Sequence, residues 1–193
     1  MGRFVLRCLA WLPAAFALWY LTAPVLLAPS VWLARGLCAV GFPDLVRAVT
    51  ESGATVTFIT RISAGTTAAR GVVTVDVNLL LYSFGLPMYA ALTLASRNPH
   101  WKRLLAIGYV ALLPFVTWGL VADFLKNLAI TSGPAIASQT GFSGWQREAI
   151  ALAYQLGTLI LPAVVPVVLW VATQLRPGVG GAVSSVARTA ERS

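Results

Sequence analysis

The chain has 193 residues, of which 58% are hydrophobic and only 10% charged, with a mean hydropathy of +0.79. That balance lies outside the range of soluble domains, so water is not its main solvent. A net charge of +8 and a pI near 10.3 would suggest nucleic acid for a soluble protein, but the charges flank long apolar runs, which excludes nucleic acid in favour of a membrane.

Four runs, at about 5–28, 79–96, 104–126 and 149–173, each reach the length a helix needs to cross a hydrocarbon core of about 30 Å at about 1.5 Å per residue. The expected fold is a single all-α membrane domain over 1–193, with four transmembrane helices, an outer amphipathic segment and a small β-hairpin. The first run follows Arg3 and Arg7. Its apolar stretch is longer than the roughly 7–15 residues of a secretory signal, and Pro24 and Pro29 stand where small residues are wanted for cleavage. It reads as an uncleaved anchor. Cys8 then lies at its inner end and Cys38 beyond its outer end, too far apart for the roughly 7 Å Cα limit of a disulfide.

Residues 29–77 are expected outside the membrane. The first part, 30–51, mixes Val31, Trp32, Leu33, Leu37, Phe42 and Val46 with Arg35, Asp44 and Arg47, which predicts one or two short amphipathic helices along the bilayer surface, broken near Gly41 and restarted at Pro43. The second part predicts a hairpin. Its β-branched runs 55–61 and 72–77 flank a small polar stretch, and two strands alone are marginal in water. Their cover is expected from the amphipathic helices, the other outer loop or a partner protein.

The second run contains Gly85-Leu86-Pro87, a predicted kink, and ends in a short basic turn, 97–103, that makes the second and third spans antiparallel neighbours. The third helix is expected to continue to Asn127. A Gly- and Ser-rich outer loop, about 131–145, leads to the fourth run, whose Pro162 and Pro166 are tolerated where neighbours satisfy the freed carbonyls. The tail, 176–193, has too few large apolar residues for a domain and is expected in the cytoplasm, on or near the anionic leaflet.

With the N-terminus inside, Arg3, Arg7, Arg97, Lys102, Arg103, Arg176, Arg188 and Arg192 fall in the cytoplasm against Glu191 alone. The outer segments carry Arg35, Arg47, Arg61, Arg70, Lys126 and Arg147 against Asp44, Glu51, Asp76, Asp123 and Glu148. The excess of Lys and Arg at the inner span ends predicts both termini in the cytoplasm.

Asp123 and Lys126 share a helix face, roughly 28 Å along the third helix from Leu104 and hence at its outer interface. They read either as an interfacial ion pair or as a polar contact for a partner or substrate. Arg147, Glu148, Tyr154 and Gln155 are expected nearby, and Arg61, Arg70 and Asp76 add polar groups on the same side. Nucleophilic cysteine chemistry has no base within reach, because Cys38 is outside and His100, the one histidine, is inside; Cys8 is in an apolar helix that keeps its thiol protonated. One histidine and two separated cysteines do not make a zinc site, and no phosphate loop or metalloprotease motif is present. No catalytic residue, metal or cofactor is expected. Few spans, no repeat and no midplane acid or base argue against a secondary transporter.

The stretches 77–87 (Val77 to Pro87), 113–119 (Leu113 to Gly119) and 154–157 (Tyr154 to Gly157), with Leu161-Pro162, resemble the exosortase H-associated membrane proteins over nearly the whole chain. Exosortases are multispanning bacterial enzymes that cleave C-terminal sorting signals with cysteine, arginine and histidine at the outer face. This chain departs from that pattern, since His100 is on the other side. The resemblance therefore implies an accessory or assembly partner of such an enzyme in the bacterial inner membrane. The rival reading is a small membrane enzyme with an outer-face site around Asp123 and Arg147.

The topology has a direct test. In a Cys8→Ser, Cys38→Ser background, a cysteine at position 66 is expected to react with an impermeant thiol reagent in intact spheroplasts and one at position 100 to be shielded; the reverse pattern would overturn the orientation.

Overall fold

The computed structural model describes residues 2–64 and 71–175. The chain is mostly helical with one small sheet. α1 (Gly2–Gly41) is followed by three strands, β1 (Val46–Ser52), β2 (Thr55–Ala64) and β3 (Gly71–Asn78). Then come α2 (Leu80–Ser83), α3 (Gly85–Ala95) and α4 (Trp101–Lys126), the last continued by a π segment, Asn127–Thr131. Short α5 (Pro134–Ala137) leads to α6 (Gly144–Gln155), a second π segment (Leu156–Ile160) and α7 (Leu161–Leu175).

Three helical runs are long and apolar enough to cross a membrane: Gly2–Gly41, Trp101–Thr131 and Gly144–Gln174. The second expected span is the shorter apolar run Leu80–Ala95. It is interrupted at Phe84, one residue before the predicted Gly85-Leu86-Pro87 kink. α3 nonetheless packs against α1, α4 and α7, so the shortest of these runs touches all the long ones.

The expected amphipathic helices at 30–51 are not there. α1 runs on unbroken through Pro24 and Pro29 to Gly41, because one buried stripe, Ala23, Leu27, Val31, Ala34 and Cys38, continues at helical spacing across both prolines. Cys8 and Cys38 thus lie on one helix, about 45 Å apart at about 1.5 Å per residue. Beyond Pro43 the chain forms β1, which makes the expected hairpin a three-stranded antiparallel sheet in the order β1-β2-β3. Val46 and Val49 fit a strand as well as a helix, and the open edge of β2 decides between them. Pairing runs from Ser52↔Thr55 to Val46↔Thr60, around a tight turn in which Gly53 has φ +61°. That left-handed backbone is the reason for glycine in a two-residue connection.

Alternation then assigns the two faces of the sheet. Val49, Val56, Phe58, Ile62, Val75 and Val77 are buried in one cluster with Leu27 and Val31 of α1 and Leu120, Phe124 and Leu128 of α4. Phe58 stacks on Phe124, with ring centroids 4.5 Å apart and planes at 20°. Thr57 and Asp76, paired across β2 and β3, point the other way. The main core therefore lies where the sheet caps the ends of α1 and α4. By contrast, no described residue of α1 before Ala23 is buried, and Leu6, Leu18, Leu21 and Val25 are all more than half exposed. An apolar surface of this extent is stable against lipid, not water.

Phe58→Ala is expected to lower stability by about 3–5 kcal/mol, the usual cost of emptying a buried aromatic site. Thermal unfolding in detergent measures it; an unchanged midpoint would show that the sheet is anchored elsewhere.

Candidate functional site

Beneath the sheet, the sheet-proximal parts of α4 and of the α6–α7 run face each other, and each is interrupted by a π segment. The cause of one is clear: Pro162 has no N–H for the Thr158 carbonyl, and the helix widens just before it so that Leu161 N–H reaches the Leu156 carbonyl. In the other, the Ser132 N–H and hydroxyl both donate to the Asn127 carbonyl, at 2.9 and 2.8 Å. Such widenings re-aim side chains and recur at functional sites.

Between the two π segments lies a polar cluster. Asp123 is 9% exposed. Its Oδ1 receives Lys126 Nζ at 3.3 Å and Asn127 Nδ2 at 2.8 Å. The Lys126 ammonium also sits 4.4 Å from the centre of the Tyr154 ring, a cation–π contact that ties α4 to α6. From α2, the Tyr82 hydroxyl comes in beside the Asp123 carboxylate and the Thr158 hydroxyl. It is buried, and its geometry makes no hydrogen bond with any described group. Glycines allow this approach: the Tyr82 ring lies against Gly119, and Gly157 packs on the Gly119 backbone, where a Cβ would come within 3.1 Å of Gly119 Cα. The cluster pairs the Asp123 carboxylate with an ammonium and an amide and offers a phenol hydroxyl to a polar group.

The expected site residues separate into three places. Asp123 and Lys126 form the cluster, and their pair is the salt bridge found among the described residues. Arg147 does not join it. Half-buried, it donates from a terminal nitrogen to the Ala137 carbonyl at 3.4 Å, has a buried Nε with no partner, and borders a separate cavity of about 410 Å³ with Glu148, Pro134 and Ala151. Gln155, near Tyr154 in sequence, is exposed. Arg61 and Asp76 belong to the sheet: Arg61 borders a crevice of about 420 Å³ with Asp44 and Gln139, and Asp76 accepts a 2.6 Å hydrogen bond from the Thr57 hydroxyl on the outward face. Arg70 lies outside the described residues.

Sequence reasoning missed Tyr82, Asn127 and Thr158 as members. Their signal was present, since each is polar at the edge of or within an apolar run, but only packing reveals that the three converge. Among the described residues no three His, Cys, Asp or Glu side chains gather as metal ligands.

Long apolar helices with a lipid-facing surface, capped at one end by a sheet, define a membrane protein. A family model for exosortase H-associated membrane proteins matches residues 1–176, and the chain belongs to that family. Comparison with curated proteins and with solved structures gave no match.

Tyr82→Phe removes an unpaired buried hydroxyl, whose desolvation costs about 1–3 kcal/mol, so the variant is expected to be at least as stable as the parent. A clear fall in the unfolding midpoint in detergent would show that this hydroxyl is hydrogen-bonded in the membrane.

Proposed function

We propose that the chain is a non-catalytic accessory or assembly partner of an exosortase-type sorting enzyme in the bacterial inner membrane, and that its outer sheet is the docking surface. Family membership supports association with an exosortase. The single observation that favours the sheet as the contact is its mounting: one face is buried on α4 through Phe58 and Phe124, while the other turns Thr57, Asp76 and the exposed Arg61 outward. A surface so anchored loses little freedom on binding, and its outer strands, β1 and β3, leave backbone edges for strand pairing.

In this reading the chain crosses four times with both termini in the cytoplasm. The C-terminal ends of α1 and α4 meet the sheet, so these two helices run outward, and the α2–α3 and α6–α7 runs return between them. Leu80–Ala95 is roughly 24 Å long at about 1.5 Å per residue, short for a core of about 30 Å. Its burial among three longer helices suits a span shielded from lipid at its ends. The tail, 176–193, expected in the cytoplasm, lies outside the described residues.

The rival reading, a small membrane enzyme with a site around Asp123 and Arg147, keeps Asp123, with the buried Tyr82 hydroxyl beside it, but loses Arg147 to a separate cavity. One experiment separates the two. Arg61→Glu and Arg70→Glu, at matched expression, are expected to weaken co-purification with the exosortase several-fold, while Asp123→Asn leaves it unchanged. Undiminished co-purification by the arginine variants would overturn docking through the sheet, and loss of sorting by Asp123→Asn with the complex intact would favour the enzyme.

A further inference from the structure

At the end of the bundle away from the sheet, α1, α3 and α4 enclose a second feature, a groove of about 560 Å³ with an almost wholly apolar surface. Trp11 and Trp101 stand at one end; Leu26 and Tyr109 close the other, where the Tyr109 hydroxyl donates to the Leu26 carbonyl at 2.7 Å. The lining of α4 runs from Trp101 to Tyr109, and that of α3 from Leu86 to Leu94. Each is about 12 Å of helix at about 1.5 Å per residue. The α1 wall, from Trp11 to Leu26, is longer, about 22 Å, so the groove spans the depth of one leaflet, about 15 Å, and exceeds it along α1.

We propose that this groove holds one acyl chain of an anionic phospholipid, with its headgroup phosphate at Arg7 and Lys102. Size argues for a lipid chain over a partner helix. Over the roughly 22 Å of the longest wall, a helix about 10 Å across occupies roughly 1,700 Å³, about three times the space available. Charge argues for an anionic headgroup. Arg7 stands one turn nearer the helix N-terminus than Trp11 on α1, and Lys102 one turn nearer it than Ala106 on α4, so both continue groove-lining faces. Helical side chains lean toward the N-terminus, and both helices begin at this end, so the two cations reach out of the groove toward the headgroup layer.

Lys102 already rests 5.5 Å from the centre of the Trp101 ring at the rim. Arg3 and Arg103 add charge at the same level, and no acidic residue occurs in 1–43 or in 77–122 to neutralise them. Tryptophan at the rim, cations beyond it and a narrow apolar slot at least one leaflet deep together describe a phospholipid seat.

The full chain, purified in detergent and supplied with equal phosphatidylglycerol and phosphatidylcholine, is read by native mass spectrometry. One phosphatidylglycerol is expected to be retained in preference to phosphatidylcholine. Arg7→Gln and Lys102→Gln should each reduce that preference about fivefold, the effect of one basic residue near an anionic surface. Ala106→Trp, at an exposed position on the wall, should abolish retention of both lipids by filling the slot. An unchanged preference in the Arg7→Gln, Lys102→Gln double variant would overturn the headgroup assignment whether or not Ala106→Trp folds. Full lipid retention by Ala106→Trp would overturn the groove. So would loss of a self-association or of exosortase binding in Ala106→Trp with lipid counts unchanged, since the occupant would then be protein.

Discussion

Tyr82 and Tyr89 lie with their rings against α4 at Gly119 and Gly108, where a Cβ on either glycine would overlap the ring. This close approach draws the short α2–α3 run into the middle of the longer helices. A third glycine completes it from the other side: at Gly85 a Cβ would come within 2.7 Å of the Pro162 carbonyl and 2.8 Å of Pro166 Cγ. In lipid, helices gain little from hiding apolar surface, so dispersion at small-residue contacts carries much of the association. Both sites described above depend on these notches. The Tyr82 ring on Gly119 delivers its hydroxyl to Asp123, and the Tyr89 ring on Gly108 forms part of the acyl groove.

Polar groups of the helices follow the same logic. With no water in the bilayer core, each donor needs a protein acceptor. The Tyr89 hydroxyl donates to the Leu104 carbonyl at 3.0 Å, Thr117 to the Ser30 carbonyl at 3.2 Å, and the Trp118 indole to the Ala153 carbonyl at 3.1 Å. The Trp170 indole donates to the Ser96 hydroxyl at 2.8 Å. Every one of these bonds joins two different helical runs, so they set register between helices as well as satisfying donors. Against that background Tyr82, like Trp19, Ser30, Arg147 and Gln174, has a buried polar atom with no such bond.

The two ends of the bundle differ in kind. One carries a sheet, acids paired with cations, and crevices bordered by Arg61 and Arg147. Among the described residues, the other carries cations without acids and an apolar slot rimmed by tryptophan. The first arrangement offers hydrogen bonds and shape to a protein; the second matches an anionic lipid. An accessory protein placed in this way would be fixed in the bilayer at one end and present its partner surface at the other.

Much of this was legible from the amino acids, because it depends on composition and local period. The apolar runs place the helices, the β-branched runs around 55–61 and 72–77 place β2 and β3, and three-residue spacing pairs Asp123 with Lys126. Contacts distant in sequence were not legible. The segment 46–52 has a pattern that serves a strand or a short helix, and the unpaired edge of β2 makes it β1. The first apolar run ends at about 28 by composition, yet the stripe from Ala23 to Cys38 packs on α4 and the sheet, and that packing outweighs the hydrogen bonds lost at Pro24 and Pro29. Arg147 is near Tyr154 along α6 but turns to the Ala137 carbonyl, while Tyr82, over forty residues before Asp123, reaches it because Gly119 has no side chain. Local pattern specified the elements and their medium. Which polar groups meet was decided by how closely the helices approach, and that distance is set by pairs of residues no local pattern connects.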